Sequence, residues 1–235
     1  MSRKLLLSIL AIGLLGLGLL ALWSAREPIA RDIVDRQLAA KGVRASYAIT
    51  RFGFRTQRLE NVVIGDPAHP DLVARRIDVR FGFSSILPSL RAIDVDGVRM
   101  RGRIVDGKLS LGEIDRLLSA PSGEPFALPD LRLTLRDARM RLDTPWGAVG
   151  LAMSGQGNVA NSYSGQFAAI AHSLSMNGCA ATTPTAYLHL TTINRRIAFD
   201  GPVRMREARC GDAVVVRPQI ATDVTLAAAL DDWNG

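Results

Sequence analysis

From Val43 onward the chain alternates apolar and polar residues with a period of two. Ile77, Val79 and Phe81 alternate with Asp78, Arg80 and Gly82; Val98, Met100 and Gly102 with Arg99, Arg101 and Arg103; Leu131, Leu133 and Leu135 with Arg132, Thr134 and Arg136. One face of such strands is greasy and the other carries arginine, the pattern of antiparallel sheet with a single apolar face. The phase slips at Asp96-Gly97, where Ile93 and Val95 give way to Val98 and Met100. It slips again at Asp137-Ala138, where Leu135 gives way to Met140 and Leu142. Each slip predicts a turn or bulge in the strand run. The segments Ile93–Arg101 and Leu133–Arg141 resemble each other about forty residues apart, which predicts a repeat of strand units.

Two other patterns frame these strands. Leu5 to Trp23 is a run of nineteen uncharged residues behind Arg3 and Lys4. As a helix it reaches about 28 Å, close to the apolar thickness of a bilayer, so residues 1–25 are expected to form a transmembrane signal anchor. Trp23 stands where a signal peptidase needs a small side chain, which argues against the alternative of a cleaved signal. Residues 26–42 then predict an amphipathic helix: Pro28 suits its first turn, Gly42 its end, and Ile29, Ile33, Val34 and Leu38 make one stripe. A second short helix is expected after Ser110, which with Glu113 reads as a capping box, before Pro121 ends it. Beyond Pro125 the strands become richer in Gly, Ala and Ser, with turn signals at Asn177-Gly178, Asp200-Gly-Pro202 and Gly211-Asp212. Nothing at the carboxyl end seals a sheet, so either an edge is left open or the protein continues, and the second is expected.

The totals add a compartment. At 48% hydrophobic, with charges interleaved and not blocked, the chain is not disordered. Its net charge of +7 is nearly all arginine, since Lys occurs only at 4, 41 and 108. If the domain is exported, nucleic acid is no partner, and the acidic partner is the phosphate of a membrane or of single lipids; arginines that simply wet one sheet face are the alternative. Arg26, Arg31, Arg36 and Lys41 follow the anchor and oppose export by the positive-inside rule, but long domains translocate largely regardless of such charges. Cys179 and Cys210 are the only cysteines; as an even pair with no His or third Cys at metal spacing they read as a disulfide in an oxidising compartment, with two buried free thiols as the alternative.

Chemistry leaves little trace. The three histidines, at 69, 172 and 189, have no partner at metal-ligand spacing. No nucleophile elbow, phosphate-binding loop or dinucleotide fingerprint occurs, and no carboxylate pair stands out. No enzyme, cofactor or metal is therefore expected.

The anchor and following helix, Arg58–Pro67, Pro70–Val79, the run Ile93–Met100, and Leu128–Leu133 leading to Asp143-Thr-Pro-Trp-Gly-Ala148 are similar to the amino-terminal part of YdbH-like proteins, in the AsmA-like group that also contains TamB. The resemblance covers nearly the whole chain and implies an inner-membrane-anchored periplasmic protein whose elongated β-sheet forms a groove for phospholipid acyl chains. It implies phospholipids and the inner membrane as partners, along with outer-membrane or other periplasmic envelope proteins. Family members are much longer, so the chain reads as an amino-terminal fragment or a truncated relative, with residues 43–235 a groove domain expected to continue in the full family architecture.

The resulting expectation is a mainly β fold: an anchor and amphipathic helix, then a curved antiparallel sheet with an apolar groove. The helices are too few and too short to cover so many strands, so the sheet either curls on itself or is filled by acyl chains. The candidate inward residues are Ile77, Val79, Phe81, Ile93, Val95, Val98, Met100, Leu131, Leu133, Leu135, Met140 and Leu142. For each of them ordinary core packing is the alternative. The competing function is an envelope assembly scaffold that binds protein instead of lipid.

Overall fold

The computed structural model describes residues 35, 36, 38–53, 55–84, 87–118 and 128–226. The anchor expected at 1–25 lies outside the described residues, as do 26–34 of the amphipathic helix. Within that helix, residues 35, 36 and 38–40 are helical, and the Lys41 N–H donates to the Leu38 carbonyl at 3.1 Å. Among the described residues no helix is long and apolar enough to cross a membrane. The chain divides into two units, Met1–Lys41 and Gly42–Gly235, and the second carries the strands.

The strand unit opens with three long antiparallel strands, β1 (Ala45–Phe52), β2 (Thr56–Asp66) and β3 (His69–Ser84). Next come β4 (Leu87–Asp96) and β5 (Arg99–Val105), both paired to β3 and forming one strand bent at Gly97. The hairpin partner β6 (Lys108–Ser110) and helix α1 (Ile114–Leu118) lead to β7 (Arg132–Thr144), β8 (Gly147–Asn158) and β9 (Ser164–Ala171). β12 (Thr185–Ile193), β13 (Arg196–Arg204) and β16 (Gln219–Leu226) complete a curved sheet ordered β1-β2-β3-β4-β7-β8-β9-β12-β13-β16, with β5 and β6 beside it. Among the described residues β1 and β16 each pair on one side only, so this sheet is not closed into a barrel.

The sheet is mixed, which corrects the antiparallel expectation. β7 runs parallel to β4 and to β5. Ile93 faces Leu133, Val95 faces Leu135, Met100 faces Met140 and Arg101 faces Arg141, so the two similar segments are neighbours in register with an offset of forty residues. A return through β6 and α1 is long enough for a parallel crossover, whereas a hairpin would have enforced antiparallel pairing. Alternation of side chains is the same in both directions, so the period of two carries no information about direction.

The slip at Asp137 is a bulge, with a register shift against β8 between Leu135 and Ala138, whereas at Gly97 the register to β3 and β7 carries straight through and the strand only kinks. Gly97 (φ 69°) and Asp137 (φ 49°) take left-handed backbone, as does Asn61 (φ 52°) on β2, and each resets which side the next residues face. Together they form a crease across neighbouring strands. Arginines and aspartates bind along it: Arg99 Nη2 donates to Asp137 Oδ2 at 2.6 Å, Arg139 to Asp137 Oδ1 at 3.1 Å, and Arg75 lies 3.6 Å from Asp96. Beyond Ala171 the chain enters a second, four-stranded sheet, β10 (Ser173–Met176), β11 (Cys179–Thr182), β14 (Glu207–Cys210) and β15 (Ala213–Val216). Hydrogen bonds continue through the change of sheet, from Thr183 N–H to the His172 carbonyl at 2.8 Å and from Arg206 N–H to the Thr182 carbonyl at 2.9 Å. Cys179 and Cys210 are register partners on β11 and β14 and are joined as a disulfide, with Cα atoms 4.2 Å apart.

The capping box at Ser110 is not formed. The Glu113 carboxylate turns to Arg44, accepting its backbone N–H at 2.6 Å and its Nε–H at 2.8 Å, while Asp115 accepts the Leu111 N–H at 3.0 Å. A guanidinium is a stronger partner than the neutral backbone donor a capping box offers. Those bonds from Arg44, backbone first, hold the Glu113 carboxyl below its ordinary value. A lowered folded pKa contributes stability above the unfolded value of roughly 4.3 and loses it as pH falls through the folded one. Glu113→Gln should therefore flatten the acid limb of stability below about pH 4, measured as urea midpoints at a series of pH values. An unchanged acid limb would remove Glu113 from the account.

Candidate functional site

The register places the predicted residues in rows across the sheet. Val79, Ile93 and Leu133 form one, and Ile77, Val95 and Leu135 the next. Val98 is buried with Val62 and Ala74, and Ile77, Val95 and Met100 pack against that cluster. Leu142 stands opposite Gly102, where Met140 Cε fills the space a side chain on Gly102 would need. Leu131 precedes β7 and accepts the Val159 N–H at 2.9 Å, and Phe81 pairs with Leu90 beyond a register shift.

Sequence reading stopped at β7, but the rows do not. Ala45, Ile64, Leu72, Met100 and Met140 are successive partners on one face, and the row continues through Leu151, Ala169, Ala186, Val203 and Ile220. Ten strands thus contribute one unbroken apolar row, about 43 Å long at the usual strand spacing. Four or five positions along each strand lies a parallel row that includes Leu59, Ile77, Val95, Leu135, Leu190 and Phe199, with Gly155 and Gly165 between Leu135 and Leu190. The later strands carry the same alternation as the earlier ones, with smaller residues, and register alone joins them.

Little of the chain covers this face. Among the described residues no large side chain is fully buried, and at Gly102 the Leu111 side chain comes within 3.1 Å of where a Cβ would stand. Most of its residues are half-buried, whereas residues inside a closed sandwich would be buried. One local cover is Tyr163, which lies across Gly155 and Gly165: a Cβ on Gly165 would stand 3.2 Å from its ring, and one on Gly155 2.7 Å from its hydroxyl. Its N–H donates to Thr192 Oγ1 at 2.9 Å. The buried hydroxyl has no partner among the described residues, and burial pushes its pKa up to about 12.

A chain match agrees with the resemblance. The family described as YdbH-like, intermembrane phospholipid transport protein YdbH, matches residues 14–235. The chain belongs to the YdbH-like family. Among curated proteins and among solved structures there is no match. The family is associated with the cell envelope, and the disulfide of this YdbH-like chain suits an oxidising compartment.

The opposite face is less uniform than its arginines suggest. On β8, β9 and β12 it presents Gly150, Ala152, Ala168, Ile170 and Tyr187; a cleft of about 930 Å³ is lined by these, by Arg99, Arg101, Arg139 and Arg141, and also by Met100, Met140, Leu151, Ala169 and Ala186 of the apolar row. The opposite face also holds a polar row that sequence spacing hid: Ser164 Oγ lies 3.1 Å from His189 Nε2, and His189 Nδ1 lies 3.5 Å from Asp200. That order of groups resembles a hydrolytic triad. Here the His and Asp side chains are 43% and 63% exposed, and Ser164 opens β9 as the register partner of Gln156 and Thr191. Acyl-transfer chemistry needs preorganised oxyanion donors in a water-excluded site, and this row is a solvated cross-strand contact.

Proposed function

We propose that this YdbH-like chain is a non-enzymatic module of phospholipid transport between the inner and outer membranes. In this reading residues 1–25 anchor it in the inner membrane with the amino terminus in the cytoplasm, and the β domain stands in the periplasm. The apolar rows hold acyl chains, with Ile77, Val79, Phe81, Ile93, Val95, Val98, Met100, Leu131, Leu133, Leu135, Met140 and Leu142 on the inward side.

The observation that carries this reading is the ten-strand apolar row, most of whose residues stay half-buried. Exposed to water it would be costly: each CH₂ taken off water contributes about 0.8 kcal/mol. Acyl chains satisfy such a surface without directional bonds, and strand N–H and C=O groups stay paired while a lipid slides past. The family description supports phospholipid as the cargo. Full-length protein purified from membranes should yield phospholipid on extraction with organic solvent. A stable, lipid-free monomer would reject the reading in favour of an assembly scaffold.

A further inference from the structure

The side of the sheet opposite the apolar rows has its own unsatisfied chemistry, and it is charge. There, β2, β3, β4, β7 and β8 line a polar cleft of about 730 Å³ in which five arginines face two aspartates. Both carboxylates are already engaged. Arg58 Nε donates to Asp78 at 2.6 Å, Arg80 pairs with Asp94 at 2.7 Å, and Arg76 divides between Asp78 at 3.7 Å and Asp96 at 3.5 Å.

Arg132 and Arg136 have no such partner among the described residues. They stand on either side of Thr134 on β7, and alternation puts all three on the same face. Gln156 is the register partner of Thr134 on β8, and neither side chain is bonded within the described residues. The cleft therefore offers two uncompensated guanidinium forks and two neutral donors.

We propose that Arg132 and Arg136 bind a phosphate group on the arginine side of the sheet. Charge selects phosphate over carboxylate: a phosphate monoester carries about −1.5 to −2 at neutral pH, matching two guanidiniums, whereas a carboxylate satisfies one. Geometry agrees, because guanidinium forks meet phosphate oxygens in pairs, and hydroxyl and amide donors can take the remaining oxygens. The site is separate from the acyl face and does not depend on the transport reading.

The test uses the full chain and two probes, inorganic phosphate and dihexanoyl phosphatidic acid, titrated by calorimetry at low ionic strength. The protein should bind at least one probe, and Arg132→Gln/Arg136→Gln should weaken that binding by roughly tenfold or more, since each lost contact is a charge-assisted hydrogen bond. Arg209→Gln, whose guanidinium pairs with Glu207 at 3.0 Å in the small sheet, should bind like the parent. Equal binding of both probes identifies a free-anion site, and preference for the lipid probe a headgroup site; either supports the proposal. Failure of the parent to bind either probe, or a double variant that binds like the parent, overturns it. Phospholipid extracted from the double variant should stay at the parent level, and its loss would overturn a site separate from the acyl face.

Discussion

Leu151→Asp is expected to strip phospholipid from the purified protein while leaving the β domain folded. Leu151 sits mid-row between Met140 and Ala169 and is half-buried. In the lipid-free protein the new carboxylate keeps access to water, so the fold loses only part of one side chain's burial, about 1 kcal/mol. In a domain of this size that lowers the melting temperature by roughly 2–4 °C. Against an acyl chain the same carboxylate meets no hydrogen-bond partner, and the penalty rises to several kcal/mol. Extracted phospholipid per mole of protein should therefore fall more than tenfold, with an unchanged far-ultraviolet dichroism spectrum. Parent-level phospholipid would exclude the row from lipid contact, and outright unfolding would show that Leu151 belongs to a closed core.

Replacing both cysteines by serine should give the largest loss of stability among single structural links. The bridge spans a sequence separation of 31 residues, for which chain entropy assigns about 3.5 kcal/mol to the cross-link. That corresponds to a fall in melting temperature of roughly 10 °C. The effect should fall on the small sheet, where β11 and β14 are only four residues long and Val214, Val215 and Val216 on β15 are exposed. Reductant should reproduce it in the parent protein and leave the serine variant unmoved. Thiols that alkylate in the untreated exported protein would contradict the bridge.

The strands with arginine on one side were plain in the sequence because the period of two is local: Ile77/Val79 and Leu133/Leu135 declare their faces whatever they pair with. The kink at Gly97 and the bulge at Asp137 were legible for the same reason, as breaks in phase at Asp-Gly and Asp-Ala. Their partner at Asn61 was not, because Val62, Val63 and Ile64 are all apolar and hide the three-residue step from Leu59 to Val62. The cap at Ser110 was misread because Arg44, which takes Glu113, lies 69 residues away. The cysteine pair was legible from count, and the structure adds that Cys179 and Cys210 face each other in register.

What the amino-acid order determined by itself was strand, face and phase, properties carried by neighbours one to three residues apart. What the tertiary structure decided was pairing. The parallel course of β7, the ten-strand length of the apolar row, and the two arginines left without acids all depend on which strands lie side by side. Alternation is blind to that choice, because a residue's side of the sheet is set by its own backbone, while its partner across the ladder is set by where a crossover of many residues returns the chain.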